Sequence, residues 1–224
     1  MKSSHMRYYP INLDINNRNC LVIGGGGVGT RKVKTLLDCG ARVTLVSPKV
    51  SPQLRDLATS GDIILKERSY QSDDLSNMFL VIGATDDEKL NKQISGDADR
   101  LNTLCNIADR PEVCNFILPS IVHRDDLVIT ISTSGQSPAM AKKLRKSLEN
   151  QFGKEYGTLL RLMGAIRKKL LQQAHEPEAH RPLFEQLINS DLIGMIQEGE
   201  VEKIDSLLLD VLGEGYKFGE LMQE

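Results

Sequence analysis

The run Val22-Ile-Gly-Gly-Gly-Gly-Val-Gly-Thr-Arg-Lys32 limits the possible folds of this chain more than any other stretch. Gly24, Gly26 and Gly29 satisfy the pattern G-x-G-x-x-G. An apolar strand, Cys20-Leu-Val-Ile23, precedes it, and a helical pattern from Lys32 to Cys39 follows. Strand, glycine turn and helix in that order let the backbone and a helix N-terminus approach a pyrophosphate. The expected ligand is therefore a dinucleotide. The plainer alternative is a glycine turn that packs a helix on a sheet and holds no ligand.

The rest of the first half repeats the alternation. Strands are expected at 19–24, Arg42–Ser47, Ile63–Lys66, Phe79–Gly83 and Thr103–Ile107. Helices are expected at 30–39, from Ser51-Pro52 to about Ser60, and from the capping-box form Thr85-x-x-Glu88 to about Leu101. Apolar strands alternating with helices predict a Rossmann-like, doubly wound parallel α/β sheet.

The pattern changes after Pro111. Phe116–Ser120 and Leu127–Thr133 read as strands around a charged turn, His123-Arg-Asp-Asp126. Ser137-Pro138 starts a helix to about Gln151. Beyond Tyr156 the pattern is helical only. Leu159, Met163, Ile166 and Leu170 form an amphipathic stripe, and breaks fall near Glu176-Pro177, Ser190-Asp191 and Gly199. Boundaries near 113 and 151 divide the chain into a nucleotide-binding domain (1–113), a small α+β segment (114–151) and a helical tail (152–224). So small a middle segment buries little core alone, so it is expected to pair with a second subunit.

The chain carries a net charge of −2 over 224 residues, which argues against a nucleic-acid partner. No apolar run is long enough for a membrane span. Met1-Lys-Ser-Ser-His-Met6 lacks a signal-peptide core and reads as a short addition before a native start at Met6. Cys20, Cys39, Cys105 and Cys114 show no C-x-x-C spacing. They are expected as small reduced thiols in the cytoplasm. His123, His175 and His180 have no metal-site spacing, so no bound metal is expected.

Candidate chemistry lies at the carboxyl ends of strands, where doubly wound sheets bind ligands. The second strand ends in Ser47, where an acid usually takes the ribose of NAD. Ser47, Pro48 and Lys49 still occupy the ribose position, and Lys49 would suit a 2′-phosphate. Thr85 and Asp86 follow the fourth strand on the nicotinamide side, though either would also cap a helix. Asp109 follows the fifth strand and is the candidate general base. Asp109-x-x-Glu112 also has capping-box form. Asn106 and Arg110 flank Asp109 and join it as candidate substrate contacts. Ser132-Thr-Ser-Gly-Gln-Ser-Pro138 leads into a helix with Lys142, Lys143, Arg145 and Lys146. Thr133, Ser134, Ser137 and Lys142 there suit a substrate with several carboxylates. An ordinary capped helix with a solvated basic face fits the same residues.

Together these segments resemble the precorrin-2 dehydrogenase family, the N-terminal module of siroheme synthases. The motifs that carry the resemblance are Tyr9-Pro-Ile-Asn-Leu13, the glycine run, Gly83-Ala-Thr-Asp-Asp87, Asn106-Ile-Ala-Asp109, Cys114–Ser120 and Ser132–Ala139. It spans about Tyr9 to Glu149. It implies NAD-dependent oxidation of precorrin-2 to sirohydrochlorin, in some members with ferrous iron insertion to siroheme, and a homodimer built through the middle segment. The family's catalytic aspartate matches Asp109. Its NAD contacts match Gly27 and Val28 after the glycine turn, and Pro48 and Lys49 after the second strand. The eight carboxylates of the substrate call for a local basic patch, for which Arg110, Arg124, Lys142, Lys143 and Arg145 are candidates. A serine modified in some fused members aligns with Thr133.

Three alternatives stay open. A dehydrogenase whose iron step belongs to another protein is indistinguishable by sequence. A nucleotide-sensing regulatory domain would share the glycine turn, but should carry an acid in place of Ser47 and lack the two later motifs. A tetrapyrrole carrier would need no dinucleotide.

Overall fold

A computed structural model describes residues 7–172 and 180–223. Met1–Met6, His175 and the expected break at Glu176-Pro177 lie outside the described residues. The chain forms two compact units, 1–118 and 119–224.

The first unit runs β1 (Asn19–Gly25), α1 (Gly27–Asp38), β2 (Arg42–Val50), α2 (Pro52–Thr59), β3 (Ile63–Lys66), β4 (Leu80–Gly83), α3 (Glu88–Arg100) and β5 (Leu104–Ile107). The strands form one parallel sheet in the order β3-β2-β1-β4-β5. The expected doubly wound sheet is present. Alternation along the strands builds its two faces. Cys20, Val22, Val43, Leu45, Leu80 and Ile82 pack with Val33 and Leu36 of α1 and Leu54 of α2. Leu21, Ile23, Val81, Cys105 and Ile107 point the other way, onto Ile94 and Ala98 of α3. Each such fully buried aliphatic side chain contributes about 1.5–3 kcal/mol of apolar transfer.

Two local expectations change. The helix α3 is not capped by a box from Thr85. Asp87 caps it, its Oδ1 accepting from the N–H groups of Lys89 (2.9 Å) and Leu90 (3.1 Å). Asp87 sits at the residue where the backbone turns helical, and its carboxylate accepts from the free N–H groups of the first turn. Residues 116–119 are also not a strand, the expected strand being reduced to Ser120 at the start of the next one. Cys114, Asn115 and Phe116 instead cover the open edge of β5. The Asn115 side chain accepts from Cys105 N–H (2.8 Å) and donates to Thr103 O (3.0 Å), while Asn106 Nδ2 donates to Phe116 O (3.1 Å). Side chains here satisfy an edge that a neighbouring strand would otherwise pair.

The second unit starts with an antiparallel hairpin, β6 (Ser120–Arg124) and β7 (Leu127–Ile131). The expected four-residue turn is thus shorter, because His123 and Arg124 pair with Val128 and Leu127. The helices are α4 (Pro138–Gln151), α5 (Glu155–Gln172), α6 (Arg181–Asn189), α7 (Leu192–Glu198), α8 (Val201–Leu212) and α9 (Phe218–Leu221). The Ser137 hydroxyl caps α4, accepting from Met140 N–H (3.2 Å), as the Ser-Pro pair predicts. Along α5 the buried stripe is Leu159, Leu162, Ile166 and Leu170, with Met163 packed at its margin. These residues join Leu187, Leu192, Ile204 and Leu208 in a core of their own. The compact unit 119–224 takes in the hairpin and α4 together with these helices. Arg124 stitches the two together, donating to the backbone carbonyls of Phe152 (2.8 Å) and Glu149 (3.0 Å).

Candidate functional site

The carboxyl ends of β1, β4 and β5 meet at one edge. Ala84 N–H donates to Ile23 O (2.7 Å) and Ala108 N–H to Gly83 O (2.8 Å), which carries the ladder past the last strand residues. Gly24 adopts φ +112°, and a Cβ there would stand 2.2 Å from Ala84 O. At Gly29 a Cβ would stand 1.9 Å from Gly24 O. These two glycines bring the helix and both strands together.

Gly26 and Gly27 are exposed, and a Cβ at either meets no atom within 4 Å. Their space is open to a ligand. Gly26 stands at the start of α1 and supplies no side-chain cap. The first N–H groups of α1 therefore lack the partner that capped helices provide. An open, uncapped helix start of twelve residues with bare backbone fits a dinucleotide pyrophosphate.

Ser47, expected beside the ribose, spends its hydroxyl on the backbone. It is buried, its Oγ accepts from Gly25 N–H (3.0 Å), and its hydroxyl donates to Lys49 O (2.7 Å). The pairing of β1 with β2 slips here, from Ile23↔Val46 to Gly25↔Val50. Ser47 fills that irregularity, and Pro48 and Lys49 are left exposed beyond it.

Two cavities flank the edge. One, of about 240 Å³, is lined by Val28, Ala84, Thr85, Asp86 and Asn91. The other, of about 200 Å³, takes in Arg31, Lys32, Asn106, Cys114 and Leu118. Val28, Ala108, Asp109 and Arg110 line both. Asp109 thus stands at the join of the two. Its backbone is left-handed (φ +59°), which turns the chain out of β5, and its carboxylate is exposed with no hydrogen bond or ion pair among the described residues. It caps no helix, since Arg110 precedes the following turn. Arg110 pairs with the Glu88 carboxylate, with Glu112 at 3.9 Å.

Thr85 and Asp86 line the 240 Å³ cavity, with Thr85 Oγ1 accepting from Asp87 N–H (3.1 Å). Asn106 lines the 200 Å³ cavity while its side chain holds Phe116 O. Thr133, Ser134, Ser137 and Lys142 lie in the second unit and line neither cavity. Thr133 Oγ1 accepts from Ser137 N–H (3.2 Å), and Ser134 has φ +51°, so this turn is shaped by its own hydroxyls. In the expected basic patch, Arg145 pairs with Glu149 and Arg124 is committed to backbone carbonyls. Arg31 and Lys32 carry no role in the sequence motifs, yet they line the Asp109 cavity. Helical spacing is the signal that could have found them: they follow Val28 by three and four residues, on one face of α1.

The fold and the glycine turn define a Rossmann-type dinucleotide-binding protein. A family described as NAD(P)-binding matches residues 11–120, and one described as "Sirohaem biosynthesis protein central" matches 124–151. The chain is 36% identical over 211 residues to a siroheme synthase of Nitrosococcus oceani, covering 94% of this chain and 45% of that protein. It is 37% identical to one from Nitrosospira multiformis, covering 87% and 42%. A solved structure of SirC, a precorrin-2 dehydrogenase, superposes with a TM-score of 0.75 at 26% identity, covering 89% of this chain and all of that one. The chain belongs to the siroheme synthase N-terminal, precorrin-2 dehydrogenase family. It spans less than half the length of the curated relatives it matches.

Proposed function

We propose that this chain oxidises precorrin-2 to sirohydrochlorin with NAD as hydride acceptor. The observation that carries the reading is the unpartnered Asp109 carboxylate at the join of two cavities on the sheet edge. One cavity borders Val28 of the glycine turn together with Thr85 and Asp86, and suits a nicotinamide. The other carries Arg31, Lys32 and Arg110, and suits an acidic substrate.

The reaction removes one hydride and one proton from the tetrapyrrole as its conjugation grows. A bound nicotinamide supplies the hydride-accepting carbon. The bare backbone of Gly26, Gly27 and Val28 orients the pyrophosphate at the start of α1. Thr85 and Asp86 border the ring's side of the edge. Asp109 takes the proton on a carboxylate oxygen, and its exposure lets it pass that proton to water.

Asp109→Asn tests this better than Asp109→Ala, because Asn tolerates the left-handed backbone that Ala resists. The variant is expected to bind NADH like the parent and to lose precorrin-2 oxidation by at least about a hundredfold. Near-normal turnover in an anaerobic assay would sink the assignment. A tight preference for NADP over NAD in the same assay would overturn the cofactor.

Ferrous iron insertion is a second reading. A free carboxylate is also what deprotonating two pyrrole N–H groups requires. Sirohydrochlorin metallation no faster than the metal-only control would remove it. The exposed Ile121, Val128, Met140 and Leu144 on the hairpin and α4 support a homodimer, and four free cysteines suit a reducing cytoplasm.

A further inference from the structure

The cavity beside Asp109 gathers three cations around one carboxylate. Arg31, Lys32 and Arg110 line it together with a single carboxylate, Asp109. The three cations are not equivalent. Arg110 is engaged by Glu88 and lies near Glu112. Arg31 is exposed to solvent. Lys32 is half-buried, reaches the cavity from the second turn of α1, and has no hydrogen-bonded or ion-paired acid among the described residues. Burial and the neighbouring Arg31 push its ammonium below the ordinary lysine range, while Asp109 acts in the opposite sense. A half-buried cation without an acid partner loses hydration that an incoming anion can replace. Ile107, Ile117 and Leu118 line the same cavity and offer apolar surface to a macrocycle edge.

We propose that Lys32 is a substrate-binding residue, the point at which one carboxylate side chain of the tetrapyrrole is held so that the macrocycle lies against Asp109. This rests on the dehydrogenase reading above. It divides α1 between two ligands, the helix start serving the cofactor and the next turn serving the substrate.

Anaerobic titration of the full chain with sirohydrochlorin, in parallel with NADH titration followed by nucleotide fluorescence, tests this. The proteins are the parent, Lys32→Met and Lys32→Arg, each certified by its circular dichroism melt. Lys32→Met keeps the length of the stem and removes the charge. It is expected to weaken sirohydrochlorin binding roughly ten- to a hundredfold and to leave NADH binding within about twofold. Lys32→Arg is expected to restore most of the affinity. Unchanged sirohydrochlorin affinity in Lys32→Met, with a parent that binds, overturns the proposal. So does a loss confined to NADH, which would assign Lys32 to the cofactor's phosphates. A parent that binds NADH but no sirohydrochlorin would instead overturn the dehydrogenase reading, and the Lys32 proposal with it.

Discussion

Single residues at this sheet edge divide into those that shape the protein and those that leave room for something else. Gly24 and Gly26 make the contrast. Gly24 has φ +112° and its missing Cβ would strike Ala84 O. Gly26 has ordinary extended angles (φ −80°, ψ −169°) and an empty surround. Gly24→Ala is therefore expected to destabilise the fold by about 2–3 kcal/mol or more. Gly26→Ala is expected to melt like the parent yet bind NADH at least tenfold more weakly, because its methyl group stands where the pyrophosphate would pass. A thermal melt and an NADH titration of both variants check this. Equal stability losses with equal binding losses would show that the two glycines do one structural job. Ser47 carries a parallel lesson. Its position suggested a ribose contact, and its hydroxyl is instead consumed by Gly25 and Lys49 backbone.

Elements are joined by a few polar side chains that bond outside their own turn or strand. Asp74 is the strongest case. It is buried in the short turn that follows β3, accepts from Lys66 Nζ (2.9 Å) and from both terminal nitrogens of Arg68, and also accepts from Gln71 N–H (3.0 Å). The Arg68 hydrogen bonds outweigh burial, and with Lys66 and Gln71 they hold this carboxyl far below the usual carboxylate range. A depressed carboxylate adds stability above its unfolded pKa of about 4 and loses it as pH falls toward the folded value. Asp74→Asn is expected to cost about 2 kcal/mol at pH 7, the cations being partly solvated, and the difference should shrink progressively below about pH 4. Urea midpoints at pH 7 and pH 3 measure it. A difference independent of pH would mean that shape, not charge, matters at this position. Asn115 does comparable work on β5, where a side chain substitutes for the strand that the sequence pattern suggested.

At the scale of the whole molecule, the hydrophobic clusters respect the division at residue 118. Two lie on the faces of the parallel sheet, and the third is confined to α5 through α9. Binding at the glycine turn should stabilise the unit that contains it. NADH at about a hundred times its dissociation constant is expected to raise the stability of the first unit by roughly 2.7 kcal/mol and to leave the helical unit near its ligand-free value. Calorimetry, or denaturation followed by probes placed in each unit, would show two responses. One shared transition that moves as a whole would contradict separate cores. No described helix is long and apolar enough to cross a membrane, in keeping with the amphipathic reading of α5.

The sequence by itself determined the parallel sheet, the glycine turn, the Ser137 cap and the edge on which Asp109 stands. These follow from periodicity and from residues adjacent in the chain, whose steric and hydrogen-bonding demands act locally. The family likeness was legible for the same reason: its motifs are short runs in fixed order. Only the tertiary structure decided that Asp87 rather than Thr85 caps α3, that Ser47 turns inward, that Cys114–Phe116 seals β5 and that Lys32 shares a cavity with Asp109. The cap turns on where the backbone first becomes helical, and the others depend on which distant backbone group or charge comes within reach once the chain has packed. Pattern along the chain carries no measure of that distance.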